Sequence, residues 1–184
     1  LAGSPAEAAT LTANQYWWDL NGICFQRLDR DHLVRVEPKL ADYASNRFLG
    51  AWLLPDEYQV RNPWLLKALR LASERRGVQF LRETVTMIEL DGSGHAQVKT
   101  ESGLVFRDCR VCLCSGAWTR QFLEQLGLRS GIKPIRGQMV LYQADQPLIQ
   151  RIVNEGNRYL VPRDDGRILA GSVEEEVGYD GRTT

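Results

Sequence analysis

The sequence predicts an α+β fold in which antiparallel hairpins dominate. Two helix signatures support the α part, because a capping residue is followed by proline at Ser4-Pro5 and again at Asn62-Pro63. Beyond Gly77, apolar and polar residues alternate and turn-forming clusters recur. These clusters are residues 91–94 (DGSG), 101–103 (ESG) and 164–166 (DDG). Helices combined with hairpins, without regular strand–helix alternation, are typical of α+β proteins.

The first predicted helix begins at Ser4, which can accept a hydrogen bond as the cap. Pro5 suits the first helical position and Glu7 completes a capping box. The helix is expected to continue through Leu20 and to end at Gly22. The next expected elements are a strand over residues 23–28, a helix over 31–40 that ends near Pro38, and an extended run over 48–54.

The helix that follows residue 62 has the clearest signature. Asn62 is expected to cap it, Pro63 to take the first helical position and Gly77 to end it. Its apolar face consists of Leu65, Leu66, Leu69 and Ala72.

Most of the remaining elements are predicted to be strands. They lie within residues 78–90, 95–100, 104–107, 133–143 and 148–154. The apolar run Val111–Cys114 predicts a short buried strand that leads into a helix over residues 118–126. The segment YLVPRDDGRILAGS, which begins at Tyr159, predicts a hairpin turned by Asp-Asp-Gly.

The charge balance limits the partners of the chain. Its 184 residues include 23 basic and 23 acidic side chains, so the formal net charge is zero. Nucleic acid and anionic membranes both select a basic excess, and neither is expected as the main partner. No apolar run approaches the roughly 20 residues that span a bilayer, and the first twenty residues lack signal-peptide features. A cytoplasmic location is therefore expected, and a start at Leu1 suits a processed segment as well as a complete product.

The cysteine pattern favours buried thiols in a reducing compartment over a metal centre. Only one CxxC occurs, and neither His32 nor His95 lies beside it in the sequence. A zinc or redox site is the alternative interpretation. On a strand, Cys112 and Cys114 would share one face and Cys109 the other. The fourth cysteine is Cys24.

Common catalytic signatures are absent from the sequence. It contains no P-loop, HExxH or GxSxG, and Gly92-Ser-Gly94 is followed by a predicted strand instead of a helix. Neither histidine is an evident general base, so no catalytic residue and no metal site is assigned. The run Val111–Trp118 is the most informative local feature, because small residues between a strand and a helix let backbone amides approach an anion. Tight strand-to-helix packing is the alternative explanation.

Five segments occur in an order that resembles a known family. They are residues 50–60 (GAWLLPDEYQV), 63–77, 111–118, 134–139 (PIRGQM) and 159–167 (YLVPRDDGR). Together they resemble the FAD-dependent amino-acid oxidases of the D-amino-acid oxidase superfamily, most closely the glycine oxidases of thiamine biosynthesis. Residues 171–180 are similar to the family's segment after the hairpin, and the resemblance covers nearly the whole chain beyond about residue 10.

The resemblance also implies what the chain does not contain. Members of the family carry an N-terminal Gly-rich loop for the FAD pyrophosphate and a C-terminal arginine that clamps the substrate carboxylate, and neither has a counterpart here. An internal fragment of an oxidase, inactive alone, is therefore expected. Residues 1–76 and 129–184 would form a substrate-type domain, and residues 77–128 the middle part of an FAD-binding domain.

Two substrate-binding residues are implied by the resemblance. Tyr159 matches the tyrosine that the family places over the flavin, where its hydroxyl helps to hold the substrate carboxylate. Glu174 matches a position that lines the active site. Arg163 is expected to be structural, because a guanidinium can tie a hairpin to neighbouring carbonyl groups. Asn157 stands where some members have histidine, which leaves the identity of the substrate open.

Four cofactor-binding residues are implied in the same way. Val85 matches the position whose backbone meets the FAD adenine. Ser115, Gly116 and Trp118 match the strand-to-helix corner that closes on the cofactor. FAD is expected in the whole enzyme and need not be bound by this chain alone.

The implied reaction is oxidation of glycine or another small amino acid to an imino acid, with hydrogen peroxide as the second product. Related enzymes that act on sarcosine, proline or D-amino acids, with oxygen or a different acceptor, are one alternative. A non-catalytic α+β binding module, with the five tryptophans in a core or interface, is another. Because a fragment leaves strand edges uncovered, self-association into a homo-oligomer is also expected.

Overall fold

The computed structural model describes residues 1–146 and 148–184. Its helices and strands confirm the α+β class. The helices are α1 (Pro5–Leu20), α2 (Arg30–Val36), α3 (Ala41–Asn46), α4 (Asn62–Glu74) and α5 (Thr119–Gln125). The strands are β1 (Gln26–Leu28), β2 (Ala51–Leu53), β3 (Val85–Leu90), β4 (Ala96–Thr100), β5 (Val105–Cys109), β6 (Arg136–Gln143), β7 (Val153–Glu155), β8 (Arg158–Pro162) and β9 (Arg167–Glu175).

The strands form three sheets. β1 and β2 pair antiparallel, β3-β4-β5 form an antiparallel meander, and the four-stranded sheet has the order β6-β9-β8-β7. β8 pairs antiparallel with both β7 and β9. Within the described part of the chain, no helix is both long and apolar enough to cross a membrane.

The chain divides into two compact units. The first consists of Leu1–Arg61 and Gly137–Val173, and the second of Asn62–Arg136 and Glu174–Thr184. These boundaries differ from the residues at which the sequence predicted a substrate-type and an FAD-type part. The assignment of either part to substrate or cofactor remains a prediction.

The predicted N-terminus of α1 is confirmed in the first unit. Ser4 caps the helix through its Oγ, which accepts a hydrogen bond from the Glu7 amide at 3.3 Å, and Pro5 opens the helix. The Glu7 carboxylate in turn accepts from the Gly3 amide at 3.0 Å. A hydrogen bond from the Ser4 hydroxyl, followed by the one from the Gly3 amide, lowers the pKa of the Glu7 carboxyl. The cap also satisfies backbone donors that would otherwise have no partner at the helix start.

The core of the first unit lies between α2, α3 and the β1–β2 pair. Leu28, Leu33, Ala44 and Ala51 form its buried cluster. The sequence predicted one helix over residues 31–40, whereas α2 ends at Val36 and a 3-10 turn covers Pro38–Leu40. Helix α3 was not predicted, because its six residues carry no capping signature and Leu40 provides no side-chain cap.

Glu37 links this core to the segment before β7. Its side chain is only 2% exposed, and its Oε2 accepts hydrogen bonds from the Gln150 amide at 2.8 Å and the Arg151 amide at 3.2 Å. The Arg151 guanidinium donates to the Val36 carbonyl at 2.6 Å. A buried carboxylate is thus retained where it satisfies two backbone donors.

The second unit is built on the β3-β4-β5 meander, which confirms the predicted hairpins. Ile88, Ala96 and Thr100 are its buried residues. Helix α4 begins at Asn62 itself, so this residue lies inside the helix and does not precede it as a cap. The predicted apolar face of α4 is exposed, with Leu66 at 65% and Leu69 at 54%.

The predicted buried strand Val111–Cys114 is wrong. Residues 110–115 have no regular structure, and β5 ends at Cys109. Asp108 has a φ of 55°, a left-handed conformation that disrupts an extended chain. Because β5 is already the last strand of its sheet, the run that follows it pairs with no strand in the described structure.

The expectation of buried thiols is also wrong for three cysteines. Cys24, Cys112 and Cys114 are exposed, and Cys109 is half-buried with its Sγ 3.3 Å from the Ala96 carbonyl. The sulfur atoms of Cys112 and Cys114 lie 3.5 Å apart, so these two side chains do share one side. Their hydrogen bond raises the pKa of the Cys114 thiol, which makes its thiolate less available at neutral pH.

Candidate functional site

Tyr159 lies in the second position of β8, within the four-stranded sheet of the first unit. Its neighbours across the strands are Asn154 on β7 and Gly171 on β9. The ring is half-buried, and its hydroxyl lies 3.9 Å from the Met139 sulfur on β6. The phenol of Tyr159 therefore lies on one face of the sheet, and its ring packs against that face.

The hairpin that carries Tyr159 is tied to the loop before α4. At its turn, the Arg163 amide donates to the Arg167 carbonyl at 2.8 Å and the Gly166 amide to the Arg163 carbonyl at 3.1 Å. The Arg163 guanidinium donates to Gln59 Oε1 at 2.8 Å, and Gln59 Nε2 donates to the Pro162 carbonyl at 2.7 Å. These contacts agree with the structural role expected for Arg163.

A second tie involves Asp165 at the tip of the hairpin. Its Oδ2 lies 3.2 Å from Arg61 Nη1, and it also pairs with Arg167. The hydrogen bond from Arg167, followed by the charges of both arginines, holds the pKa of the Asp165 carboxyl far below its usual range. The turn therefore keeps a charged carboxylate at every physiological pH.

Three of the predicted cofactor-binding residues lie on one corner of the second unit. Ser115 precedes a 3-10 turn, Gly116–Trp118, that leads into α5. Ser115 Oγ lies 3.0 Å from Thr119 Oγ1. Gly116 has a φ of 56°, and a Cβ built there would meet no atom within 4 Å, so the backbone at this corner is open.

Trp118 completes the corner by packing on the C-terminal segment of the same unit. Its ring centroid lies 5.7 Å from that of Tyr179, and Tyr179 Oη donates to the Ala117 carbonyl at 3.1 Å. Even so, 55% of Trp118 is exposed. The corner thus combines open backbone with a flat aromatic surface, which are the features that suit contact with a planar ligand.

Val85, the fourth predicted cofactor residue, begins β3 and pairs with Thr100. Helix α5 packs against β3 through Gln125, whose Oε1 accepts from the Ile88 amide at 3.3 Å and whose Nε2 donates to the Thr86 carbonyl at 3.2 Å. This amide covers the free edge of β3 in the way that a neighbouring strand would. The sequence offered no sign of this role for Gln125.

Glu174, the second predicted substrate contact, is exposed near the end of β9 and belongs to the second unit. The two glutamates after it are ion-paired within that unit, Glu175 with Arg136 at 3.0 Å and Glu176 with Lys133 at 2.5 Å. The roles of Tyr159, Glu174, Val85 and the corner remain predictions.

A cavity of about 800 Å³ lies in the first unit, and none of the predicted site residues lines it. Its wall includes Trp18 from α1, Leu33 from α2 and Trp52 from β2. The Trp52 indole N–H is buried and has no acceptor among residues 1–146 and 148–184. Sequence analysis treated these tryptophans only as core or interface candidates.

One group of possible metal ligands occurs in the described residues. Donor atoms of Asp91, His95 and Asp108 lie within 4.8 Å of one another, and all three residues are exposed. Asp91 Oδ1 already accepts hydrogen bonds from the Ser93 and His95 amides, each at 2.9 Å. These bonds explain the cluster as the cap of a turn between β3 and β4.

Comparison with known protein families identifies the family of the chain. The family model described as FAD dependent oxidoreductase matches residues 1–184. The chain belongs to this family. This membership bears out the resemblance that the ordered segments carry, although the sequence has no Gly-rich phosphate loop of its own.

The chain is similar to a glycine oxidase of Pseudomonas aeruginosa. It is 33% identical over 180 residues, which cover 92% of this chain and 49% of the relative. The chain thus spans about half the length of this relative. Among solved structures, the glycine oxidase of Geobacillus kaustophilus matches with a TM-score of 0.88 and 30% identity, over 100% of this chain and 49% of that one.

A more distant structure shows how widely the fold is shared. The L-proline dehydrogenase of P. horikoshii matches with a TM-score of 0.85 and 20% identity, over 100% of this chain and 50% of that one. At this identity the match shows the fold alone.

Proposed function

We propose that this chain is part of a flavin-dependent oxidase that oxidises glycine, or another small amino acid, to an imino acid while molecular oxygen is reduced to hydrogen peroxide. The observation that carries the proposal is a tyrosine hydroxyl held on the sheet of a chain that is similar to glycine oxidases. Four free cysteines support a cytoplasmic location as part of the proposal.

The corner of the second unit suits a contact with FAD. Its backbone is open at Gly116, and Trp118 offers an exposed ring beside it. Ser115 adds a hydroxyl, and Val85 is proposed to meet the adenine through its backbone. Since the sequence has no Gly-rich loop for the pyrophosphate, these residues would supply only part of the binding surface.

Tyr159 is proposed to bind the substrate carboxylate through its hydroxyl. A phenol that donates to a carboxylate makes a charge-assisted hydrogen bond without placing a second full charge in the site. Glu174 is proposed to contact the substrate of the whole enzyme. FAD, when bound, accepts a hydride from the substrate α-carbon, so the protein has to orient that carbon and exclude water.

The isolated chain is proposed to be inactive. The support is that the sequence lacks the phosphate loop and that the chain matches about half of each oxidase relative. FAD is added to the purified chain, and the flavin spectrum and peroxide formation from glycine are followed. A stoichiometric flavin complex that turns over glycine would contradict this part of the proposal.

The oxidase activity is tested on the protein expressed from the whole reading frame that includes this chain. Purified protein is expected to carry flavin and to release peroxide with glycine faster than with sarcosine, D-alanine or L-proline. A clear preference for one of the other three would replace glycine as the substrate. Absence of bound flavin from well-folded protein would refute the proposal.

The role of Tyr159 is tested in the same protein with glycolate, which carries the carboxylate of glycine without its amine. Tyr159→Phe is expected to weaken glycolate binding by about tenfold, the effect of losing one hydrogen bond to a charged group. Tyr142→Phe is the matched control, because residues 139 and 142 on β6 face opposite sides of the sheet. Equal glycolate affinities for the two variants would show that Tyr159 does not bind the substrate carboxylate.

A further inference from the structure

The ring of Tyr159 lies directly over a glycine of the neighbouring strand. A Cβ built on Gly171 would stand 2.6 Å from both Cζ and Oη of Tyr159, and 2.9 Å from its Cε2. Non-bonded carbon atoms normally approach to about 3.5–4.0 Å. The tyrosine ring therefore occupies the space in which any side chain at position 171 would have to stand.

A left-handed backbone conformation does not explain why position 171 is glycine. Gly171 is not among the glycines with positive φ, and it lies inside the nine-residue strand β9. Glycine weakens a strand interior, and it commonly marks a place where another group approaches the backbone closely. Here that group is the phenol of Tyr159.

The hydroxyl end of the ring contacts a residue on a third strand. In the sheet order β6-β9-β8, the side chain of Tyr159 extends from β8 across β9, and its hydroxyl reaches the Met139 sulfur on β6 at 3.9 Å. We call this arrangement of Tyr159, Gly171 and Met139 the tyrosine platform. Gly171 allows the ring to lie close to the sheet, and Met139 lies at the end of the ring, next to its hydroxyl.

We propose that Gly171 is a positioning residue for Tyr159, with Met139 as the side chain that limits how far the hydroxyl extends. A methyl group at position 171 would force the ring to turn away from the sheet about its own side-chain bonds. The hydroxyl would then move from the place in which it meets the substrate carboxylate, and hydrogen bonds weaken steeply with misalignment. The ring geometry rests on the structure alone, whereas its effect on ligand binding rests on the proposed function.

The same sheet contains a matched control glycine. A Cβ at Gly137 on β6 would meet only the Val173 carbonyl, at 3.7 Å, which is an ordinary contact. Gly137→Ala and Gly171→Ala add the same methyl group to neighbouring strands of one sheet. Only the second collides with the tyrosine, and because the obstacle is the end of a movable side chain, the fold is expected to survive.

The position of the ring is measured on this chain without cofactor or substrate. The sequence has two methionines, Met87 on β3 and Met139 on β6, so methyl-labelled methionine gives two NMR signals. Gly171→Ala is expected to shift the Met139 signal towards its position in Tyr159→Leu, which lacks the ring. The Met87 signal, and both signals in Gly137→Ala, are expected to stay in place. An unmoved Met139 signal in folded Gly171→Ala would overturn the positioning role.

The effect on the site is measured as glycolate affinity in the flavin-loaded protein that carries this chain. Gly171→Ala is expected to weaken binding by about tenfold, as loss of the tyrosine hydrogen bond would. In the Tyr159→Phe background the same substitution is expected to cause no further loss, because the hydroxyl is already absent. The KM for the amino acid should rise more than kcat falls.

The two proposals fail in different ways. If Gly171→Ala moves the Met139 signal but Tyr159→Phe leaves glycolate affinity unchanged, the platform stands and the substrate role of Tyr159 is wrong. If Tyr159→Phe weakens binding but Gly171→Ala changes neither signal nor affinity, the substrate role stands and the positioning role is wrong. Should Gly171→Ala be unfolded, Met139→Leu with the same glycolate measurement tests the other side of the platform, and unchanged affinity would count against the platform.

Discussion

Replacing Glu37 with alanine is expected to destabilise the first unit through the two backbone donors that its carboxylate satisfies. Hydrogen bonds to charged groups contribute about 1.5–3 kcal/mol each, so two of them set an upper limit of about 3–6 kcal/mol. Gln150 and Arg151 are themselves exposed, which lets water replace part of what the carboxylate provides. We therefore expect a loss of about 1–3 kcal/mol in the free energy of unfolding.

The measurement is urea unfolding followed by circular dichroism, with hydrogen exchange as the local readout. For a urea dependence of about 2 kcal/mol per molar, this loss lowers the midpoint by about 0.5–1.5 M. The amides of residues 150 and 151 should exchange faster in Glu37→Ala than in the unchanged chain. Glu37→Gln keeps one acceptor oxygen and is expected to fall between the two.

Asp56→Ala removes an exposed carboxylate from the same unit and serves as the control. Surface substitutions of this kind change stability by less than about 0.5 kcal/mol. If Glu37→Ala were as stable as Asp56→Ala and its two amides exchanged at unchanged rates, the structural role of the buried carboxylate would be refuted.

Three further predictions concern other parts of the chain. Gln125→Ala should speed hydrogen exchange of the Ile88 amide, because this amide loses its acceptor at 3.3 Å. The exchange rate of the Val98 amide in the central strand β4 should stay unchanged. Equal acceleration of both amides would contradict the protection of the β3 edge by Gln125. Because the pKa of Asp165 is lowered in the folded state, its ion pairs are complete above the unfolded carboxyl pKa and are lost only as the pH falls through the lower folded value. The NMR shift of the Asp165 carboxyl carbon should therefore stay constant from pH 7 to about 4, and a midpoint near 4.5 would argue against the pairing. Light scattering should show concentration-dependent self-association that Leu66→Lys on the exposed face of α4 reduces, whereas a monodisperse monomer at all concentrations would contradict it.

Local rules predicted the elements whose stability depends on neighbours in the sequence. Ser4 caps α1 as expected, because cap and first turn lie within four residues of each other. The hairpin β8–β9 was predicted for the same reason, since Asp-Asp-Gly supplies its turn. The order of the five segments was sufficient to identify the family, which the comparison bears out.

Local rules failed where the outcome depends on what packs against a segment. The apolar run Val111–Cys114 has the composition of a buried strand, but pairing requires a neighbour, and none is present in the described sheets. The apolar face of α4 was predicted from its helical periodicity, and yet Leu66 and Leu69 on that face are exposed. Periodicity identifies an apolar face, but it does not show which part of a protein covers that face. Short α3 was missed because it has no capping residue.

By itself, the sequence determined the α+β class, the N-terminal cap of the first helix, the hairpin at residues 159–173 and the FAD dependent oxidoreductase family. It also predicted a substrate contact at Tyr159, which stays a prediction. Only the tertiary structure showed that Tyr159 lies over Gly171 and reaches Met139, which are 12 and 20 residues away along the chain. Such contacts are decided by strand order and register, and these follow from pairing across the whole sheet, which no local pattern encodes.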